Sequence, residues 1–287
     1  FILSLITATV SIYADSVAIE RCSAPVITIY GETSASISSG VVIDNNGYIL
    51  TNQHVVDDEK SLTVITGSSK EFNATVVGYD VETDIALIKV DSKSLVPAIV
   101  AKIFPKRGDD VYAVGYPLQT HQSVSKGIVS ATHINNLGSY KYQSFIESDV
   151  LFARGNSGGA LCNSKGELIG INSALKQGFA FSVEIDKALK IANVLKIKGK
   201  FERGSLGISV DTSPLCSGAL VTKVKSSNSF KKGDCILSIN NNQITSTDIL
   251  VNILGFYQKG EVITFRISRN SNSSLRAKEI LVKTTTR

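Results

Sequence analysis

Three residues, His54, Asp84 and Ser157, have the types and the chain order needed to turn an alcohol into a nucleophile. A serine hydroxyl attacks a carbonyl when four conditions are met. A base takes its proton, a second group fixes the tautomer of that base, donors await the oxyanion, and a turn exposes the oxygen. Ser157 lies in Arg154-Gly155-Asn156-Ser157-Gly158-Gly159-Ala160. Glycines on both sides permit a tight turn and leave room for a substrate carbonyl. The amides of Gly155 and Ser157 can then face one oxygen as an oxyanion hole, although taken alone the segment reads equally well as a glycine-rich loop. His54 follows Leu50-Thr51-Asn52-Gln53, which places it at the end of a predicted strand. His121, in the polar run Gln119-Thr120-His121-Gln122, reads as solvated, and His133, with no acidic neighbour in sequence, as structural. Asp84 precedes the apolar Ile85-Ala86-Leu87 and is either a turn residue or a buried carboxylate with a partner. The presence of a base candidate before it and a nucleophile candidate after it favours the second reading.

The elements that must position these residues are short. From about Pro25 to Phe181 the chain alternates β-like runs with turn residues: 26–30, 40–43, 48–51, 62–65, 74–77, 85–90, 110–114, 127–130, 167–171 and 179–183. Asn46-Gly47 between two such runs is a hairpin signal. Many strands at this spacing predict antiparallel barrels or a sandwich. The period then changes to helical, with Ile185, Ala188, Leu189, Ala192 and Leu195 on one face and Gly199 as the stop. After Gly204 the β pattern resumes, with one helix-like piece near Asp248 to Leu254. The boundary is expected near 198–204, giving a domain over 15–198 and a smaller one over 204–287.

Composition fits two folded domains in 287 residues, with 43% hydrophobic and 19% charged residues. The net charge of +5 is mild and no Lys/Arg run tracks a nucleic-acid backbone, so no nucleic-acid partner is expected. The apolar stretch 1–14 has the length of a signal-peptide core, with Tyr13-Ala14-Asp15 suiting cleavage after Ala14. The end of an N-terminal membrane anchor, a first strand or a buried helix are the other readings. The signal-peptide and anchor readings both export the body of the protein. The four cysteines, Cys22, Cys162, Cys216 and Cys235, form no C-x-x-C pair and accompany no histidine cluster, so no zinc site or other cofactor is expected. Cys216 and Cys235 fall in one expected domain and either pair or remain buried thiols.

The order His, Asp, Ser is that of chymotrypsin and not of subtilisin or the α/β-hydrolases. The segments Ser39-Gly40-Val41-Val42-Ile43-Asp44, Thr51-Asn52-Gln53-His54-Val55-Val56, Thr83-Asp84-Ile85-Ala86-Leu87-Ile88 and Gly155-Asn156-Ser157-Gly158-Gly159-Ala160-Leu161 resemble the HtrA (Deg) family of serine proteases. The likeness runs over roughly residues 24 to 285. It implies a mostly β protein: a chymotrypsin-like double β-barrel followed by a small α+β PDZ-like domain. By the same resemblance His54 is general base and acid, Asp84 orients it, Ser157 attacks, and the Gly155 and Ser157 amides bind the oxyanion. Leu151, six residues before Ser157, with Phe152 and Leu175, would line the S1 pocket. An apolar pocket does not neutralise a buried cation, so small or medium aliphatic P1 residues are expected.

The tail resembles a PDZ domain through Gly204-Ser205-Leu206-Gly207-Ile208 and Lys232-Gly233-Asp234-Cys235-Ile236-Leu237-Ser238-Ile239-Asn240. Amides at Ser205, Leu206 and Gly207 would receive a C-terminal carboxylate, and the strand from Ile208 would pair with the peptide. The expected protein is an exported, periplasmic endopeptidase, soluble or anchored through its N-terminus in the inner membrane. Its expected partners are unfolded or misfolded proteins and C-terminal peptides, with a homotrimer implied by the resemblance. A signalling protease with one membrane-protein target and a non-proteolytic PDZ chaperone or scaffold are the competing functions. Two departures from the family bear on regulation: Ile134 stands where many members have Arg, and the loop after Leu175 is short.

Overall fold

The computed structural model describes residues 15–285 apart from 118–120, 136, 139, 226–228, 241 and 272–273. The expected leader or anchor over 1–14 lies outside the described residues. The chain divides into two compact units, 1–200 and 201–287.

The first unit begins with helix α1 over 15–23 and then builds two barrels on one plan. Strands β1 (Val26–Gly31), β2 (Ser36–Val42), β3 (Tyr48–Thr51), β4 (Leu62–Ile65), β5 (Glu71–Asp80) and β6 (Ile85–Val90) close in the order β1-β2-β3-β6-β5-β4. A one-turn helix, α2 (Gln53–Val56), follows β3. Strands β7 (Asp110–Gly115), β8 (Ser123–Ile134), β9 (Phe145–Ser148), β10 (Ala160–Asn163), β11 (Leu168–Lys176) and β12 (Phe179–Glu184) repeat that order. Closure removes free sheet edges, which is how a protein made of short strands avoids edge-to-edge association. Ile27, Ile29, Ile49, Val64 and Ile88 pack the first barrel, and Val111, Val129, Ile146, Leu161 and Ile169 the second.

Helix α3 (Ile185–Lys198) ends at Gly199, whose φ of 70° admits the left-handed cap and whose amide bonds Leu195 O. Its buried face is wider than the expected stripe: Ile191 and Val194 are buried too, while Leu189 is only half-buried. Helix α1 lies over the β10–β11 turn, where a Cβ on Gly166 would meet Ala18 O at 2.3 Å. A Cys22–Cys162 disulfide ties the same helix to β10. That pairing was not expected from the sequence, because its partners are 140 residues apart.

The second unit is a six-stranded sheet. Strands β13 (Ile208–Ser213), β14 (Cys216–Val224), β15 (Cys235–Ile239), β17 (Val262–Ser271) and β18 (Ser274–Lys283) run in that order, with β16 (Asn242–Gln243) beside β15. Helix α4 (Thr247–Leu254) starts at Ser246, whose hydroxyl accepts from Ile249 N. Ile236, Phe265 and Leu250 are among its core. Cys216 and Cys235 form a disulfide rather than two thiols.

Candidate active site

His54 is not at the end of a strand. β3 stops at Thr51, and the imidazole is carried by α2, two residues on. Asp84 closes the β5–β6 turn with φ of 58°, a conformation that short polar side chains tolerate. Its side chain is fully buried, whereas that of His54 is 42% exposed. His54 Nδ1 lies 2.9 Å from Asp84 Oδ1 and 3.0 Å from Oδ2, and the His54 amide donates to Oδ1 at 3.2 Å. This fixes a tautomer with the proton on Nδ1 and leaves Nε2 as the base. Asn52 Nδ2 donates to Asp84 O at 3.1 Å, tying the two segments a second time. Burial lowers the proton affinity of His54, but the bond and charge of Asp84 outweigh it, and the imidazole titrates above its ordinary range.

Ser157 comes from the second barrel, in the turn before β10. Gly155 (φ 98°) and Gly158 (φ 80°) both occupy backbone space closed to other residues. At Gly158 a Cβ would stand 2.1 Å from Ser39 O and 2.3 Å from Thr51 Oγ1. The turn is held from the first barrel by Ser39. Its amide donates to Ser157 O at 2.9 Å, and its hydroxyl donates to Gly155 O at 2.7 Å while accepting from Tyr116 N at 2.9 Å. Among the hydrogen bonds of the described residues, the amides of Gly155 and Ser157 have no acceptor.

Ser173, in β11, joins the two halves. Its hydroxyl donates to Asp84 Oδ2 at 2.8 Å, and its carbonyl accepts from Ser157 Oγ at 3.5 Å. Asp84 and Ser157 thus meet the side chain and the backbone carbonyl, respectively, of one residue. Neither Ser173 nor Ser39 was singled out in the sequence, because each is an ordinary strand serine whose partners lie far along the chain. The long Ser157 contact leaves its hydroxyl weakly engaged.

Of the S1 residues, Leu151 is 81% exposed and Leu175 54% exposed. Phe152 instead packs against the second barrel's core. β11 and β12 pair as far as Lys176 and Phe179, so the short connection after Leu175 is a two-residue turn of Gln177 (φ 53°) and Gly178 (φ 86°). Ile134 is the last residue of β8 and pairs with Phe145. His121 is exposed, whereas His133 does have an acidic partner, Glu184, 2.8 Å away across the fold.

In the second unit a cavity of about 140 Å³ is lined by Ser205, Leu206, Ile208, Leu250 and Leu254 among others. Three amides waiting at 205 to 207 are not what the structure has. The Ser205 amide donates to Thr285 O at 2.9 Å and the Gly207 amide to Ser205 Oγ at 3.2 Å. Gly207 is also absent from the lining. A β-bridge between Ser205 and Thr285 draws the segment into the sheet.

Residues 38–171 match the Trypsin-like peptidase domain and residues 204–277 the PDZ domain. A solved structure described as the HtrA-type protease AlgW with tripeptide superposes with a TM-score of 0.78 at 30% identity, covering 95% of this chain and 97% of that one. The serine endoprotease DegS of Haemophilus influenzae is 34% identical over 267 residues, 83% of this chain and 78% of its own length. The chain belongs to the HtrA-type serine endoproteases. A probable periplasmic serine endoprotease, DegP-like, of Pseudomonas putida is 38% identical over 258 residues, 82% of this chain but 54% of that protein. The chain therefore spans about half the length of the DegP-like members of the HtrA family that it matches. Their periplasmic designation agrees with the exported location expected from the sequence, and no helix among the described residues is long and apolar enough to cross a membrane.

Proposed function

We propose that this chain is an endopeptidase that cleaves polypeptides in the periplasm through an acyl-enzyme on Ser157. The observation that carries the reading is Ser173, which bonds the carboxylate of the His54–Asp84 pair through its hydroxyl and the Ser157 hydroxyl through its carbonyl. In this reading His54 Nε2 takes the Ser157 proton as Oγ attacks the scissile carbonyl. Asp84 stabilises the imidazolium that forms, without itself taking the proton. The free amides of Gly155 and Ser157 receive the oxyanion, and the imidazolium returns its proton to the leaving amine. Water then repeats the cycle to release the acid.

The exposed apolar Leu151 and Leu175 support small or medium aliphatic P1 residues, while Phe152 serves the core. The substrates are unfolded or misfolded exported proteins. The second unit binds C-terminal peptides between α4 and β13, through apolar walls more than through preset amides, and the protein assembles as a homotrimer.

Labelling with a fluorophosphonate tests the chemistry. Covalent modification of the wild type that is lost in Ser157→Ala supports it, and a folded wild type that takes no label refutes it. Casein digestion, with cleavage sites mapped by mass spectrometry, tests the substrate class. Cuts mainly after Arg or Lys would overturn the S1 assignment.

A further inference from the structure

Ser39 is a fully buried strand serine whose place in the first barrel is set on two sides. It stands opposite Thr28 in the β1–β2 ladder, and Thr51 Oγ1, at the end of β3, donates to its carbonyl at 2.8 Å. Its amide and hydroxyl reach out of that barrel. The amide donates to Ser157 O at 2.9 Å, and the hydroxyl donates to Gly155 O at 2.7 Å while accepting from Tyr116 N at 2.9 Å. One residue therefore grips the tripeptide Gly155-Asn156-Ser157 by the carbonyls at both of its ends. The Ser157 amide lies between those carbonyls, and the Gly155 amide opens the same span.

We propose that Ser39 is a positioning residue for the oxyanion site, its hydroxyl setting the Gly155 peptide so that the amides of Gly155 and Ser157 face one point. The inference rests on the acyl-enzyme reading given above. When a peptide plane rotates, its carbonyl and its amide exchange directions, and an oxyanion site is lost. Gly155, with φ of 98°, has no side chain to restrict that rotation, so a partner outside the turn must choose the orientation. The Ser39 hydroxyl is that partner. Tyr116 N, just past the end of β7, occupies one of its lone pairs and leaves its proton for Gly155 O. The same segment closes on the glycine from the other side, where a Cβ at Gly155 would stand 2.3 Å from Tyr116 O. A hydroxyl suits the place because it donates and accepts at once, which an apolar side chain of similar size does not.

The bonds of Ser39 go to none of His54, Asp84 and Ser173. Its loss should therefore act on the developing oxygen anion and leave the proton transfer to His54 as it was.

The test is Ser39→Ala, which deletes the hydroxyl and keeps the amide bond to Ser157 O. The probe is a peptidyl trifluoromethyl ketone with Val at P1. Ser157 Oγ adds to its carbonyl carbon, the Oγ proton passes to His54, and the carbonyl oxygen becomes the anion that the two amides receive. Peptide hydrolysis is measured beside it. The expected result is a kcat lower by about thirtyfold with KM unmoved, and an affinity for the ketone lower by a similar factor. Carbon NMR of the labelled ketone carbon should show the hemiketal oxygen titrating at higher pH than in the wild type. A ketone affinity and a hemiketal titration equal to those of the wild type overturn the inference, even where kcat falls, since a general loosening of the fold does not single out the anion. If Ser39→Ala does not fold, Ser39→Cys, a weaker donor of similar size, carries the test. The same pattern at smaller size supports the inference there, and wild-type values overturn it. If the wild type takes the fluorophosphonate at Ser157 and the serine variant binds the ketone like it, this inference alone fails. If the folded wild type takes no label, the acyl-enzyme reading fails and takes this one with it.

Discussion

The two barrels share one strand order but hold their parts of the site by opposite means. The first barrel fixes His54 and Asp84 with hydrogen bonds: two from the imidazole nitrogen, one from the His54 amide and one from Asn52 to the backbone. The second barrel places Ser157 with glycines, at φ angles and clearances that no side chain fits, and leaves the hydroxyl in a single long contact. The difference follows from the tasks. A base must stay in one tautomer and one orientation, which needs directional bonds. A nucleophile must stay exposed and able to move toward a carbonyl, which needs a rigid backbone beneath a side chain with few attachments.

Breaking the bonded half should have the larger effect on activity. Asp84→Asn keeps size and burial but puts a donor where an acceptor stood. The imidazole would then turn its Nδ1 lone pair inward and protonate Nε2, the nitrogen that must act as base. A fall of about 10⁴ in kcat is expected with little change in melting temperature. A loss of less than tenfold would show that Asp84 does not set the tautomer.

The second barrel also carries a covalent tie that the first lacks. Cys22–Cys162 joins α1 to β10, the strand that begins three residues after Ser157, across 140 residues of chain. Chain-entropy reasoning gives about 5 kcal/mol for a loop of that length and about 3 kcal/mol for the Cys216–Cys235 loop. Cys22→Ser/Cys162→Ser should thus lower the stability of the first unit more than Cys216→Ser/Cys235→Ser lowers that of the second. Denaturant unfolding of each double variant under oxidising conditions makes the comparison. The reverse ranking would indicate that α1 contributes little beyond its own contacts.

Two glycines of the second barrel sharpen the point about clearance. Gly158 and Gly178 share a positive φ, but only the first is crowded, and nothing lies within 4 Å of a Cβ at Gly178. Gly158→Ala should cost about 3 kcal/mol, combining backbone strain with a clash against Ser39 O, and should displace Ser157. Gly178→Ala should cost about 1 kcal/mol. Equal melting temperatures for the two would mean that strain alone operates and that Ser39 can yield.

What the sequence shows of this protein divides along the same line. The triad candidates were legible because each sits in a local context with a meaning: glycines about Ser157, an apolar strand after Asp84, and an order that singles out one arrangement among three. Strands β4 and β6 were legible to the residue, since both faces or alternate positions are buried. Strands β9 and β10 were not, being four residues each and embedded in the Ser- and Gly-rich surroundings of the site. Ser39, Ser173 and the Cys22–Cys162 disulfide act through partners that only folding brings near, whereas Cys216–Cys235 was one of two readings open from the sequence. No periodicity or spacing signals a bond from residue 173 to residue 84, or from 22 to 162.

The smallest expected effect lies at the rim of the second barrel, where an ionisable pair is built as the His54–Asp84 pair is, but on the surface. His133 Nδ1 lies 2.8 Å from Oε1 of the buried Glu184, its amide donates to the same oxygen at 3.0 Å, and its ring stacks on Phe104 at 4.6 Å. Ser144 Oγ donates to Glu184 Oε2 at 2.6 Å. The Glu184 bond raises the pKa of His133 above its ordinary value against the opposing effect of burial. A group whose folded pKa is raised adds stability that is complete below its unfolded pKa, about 6.5, and fades as pH climbs through the folded value. His133→Asn accommodates the φ of 57° and keeps the backbone amide bond to Glu184 while removing the titrating ring. With 66% of the His133 side chain exposed, the wild-type advantage should stay under about 1 kcal/mol. It should be greatest near pH 5.5 and shrink steadily toward pH 8. A difference in melting temperature that is flat or grows over that range would mean that stacking on Phe104, and not the charge, is what His133 contributes.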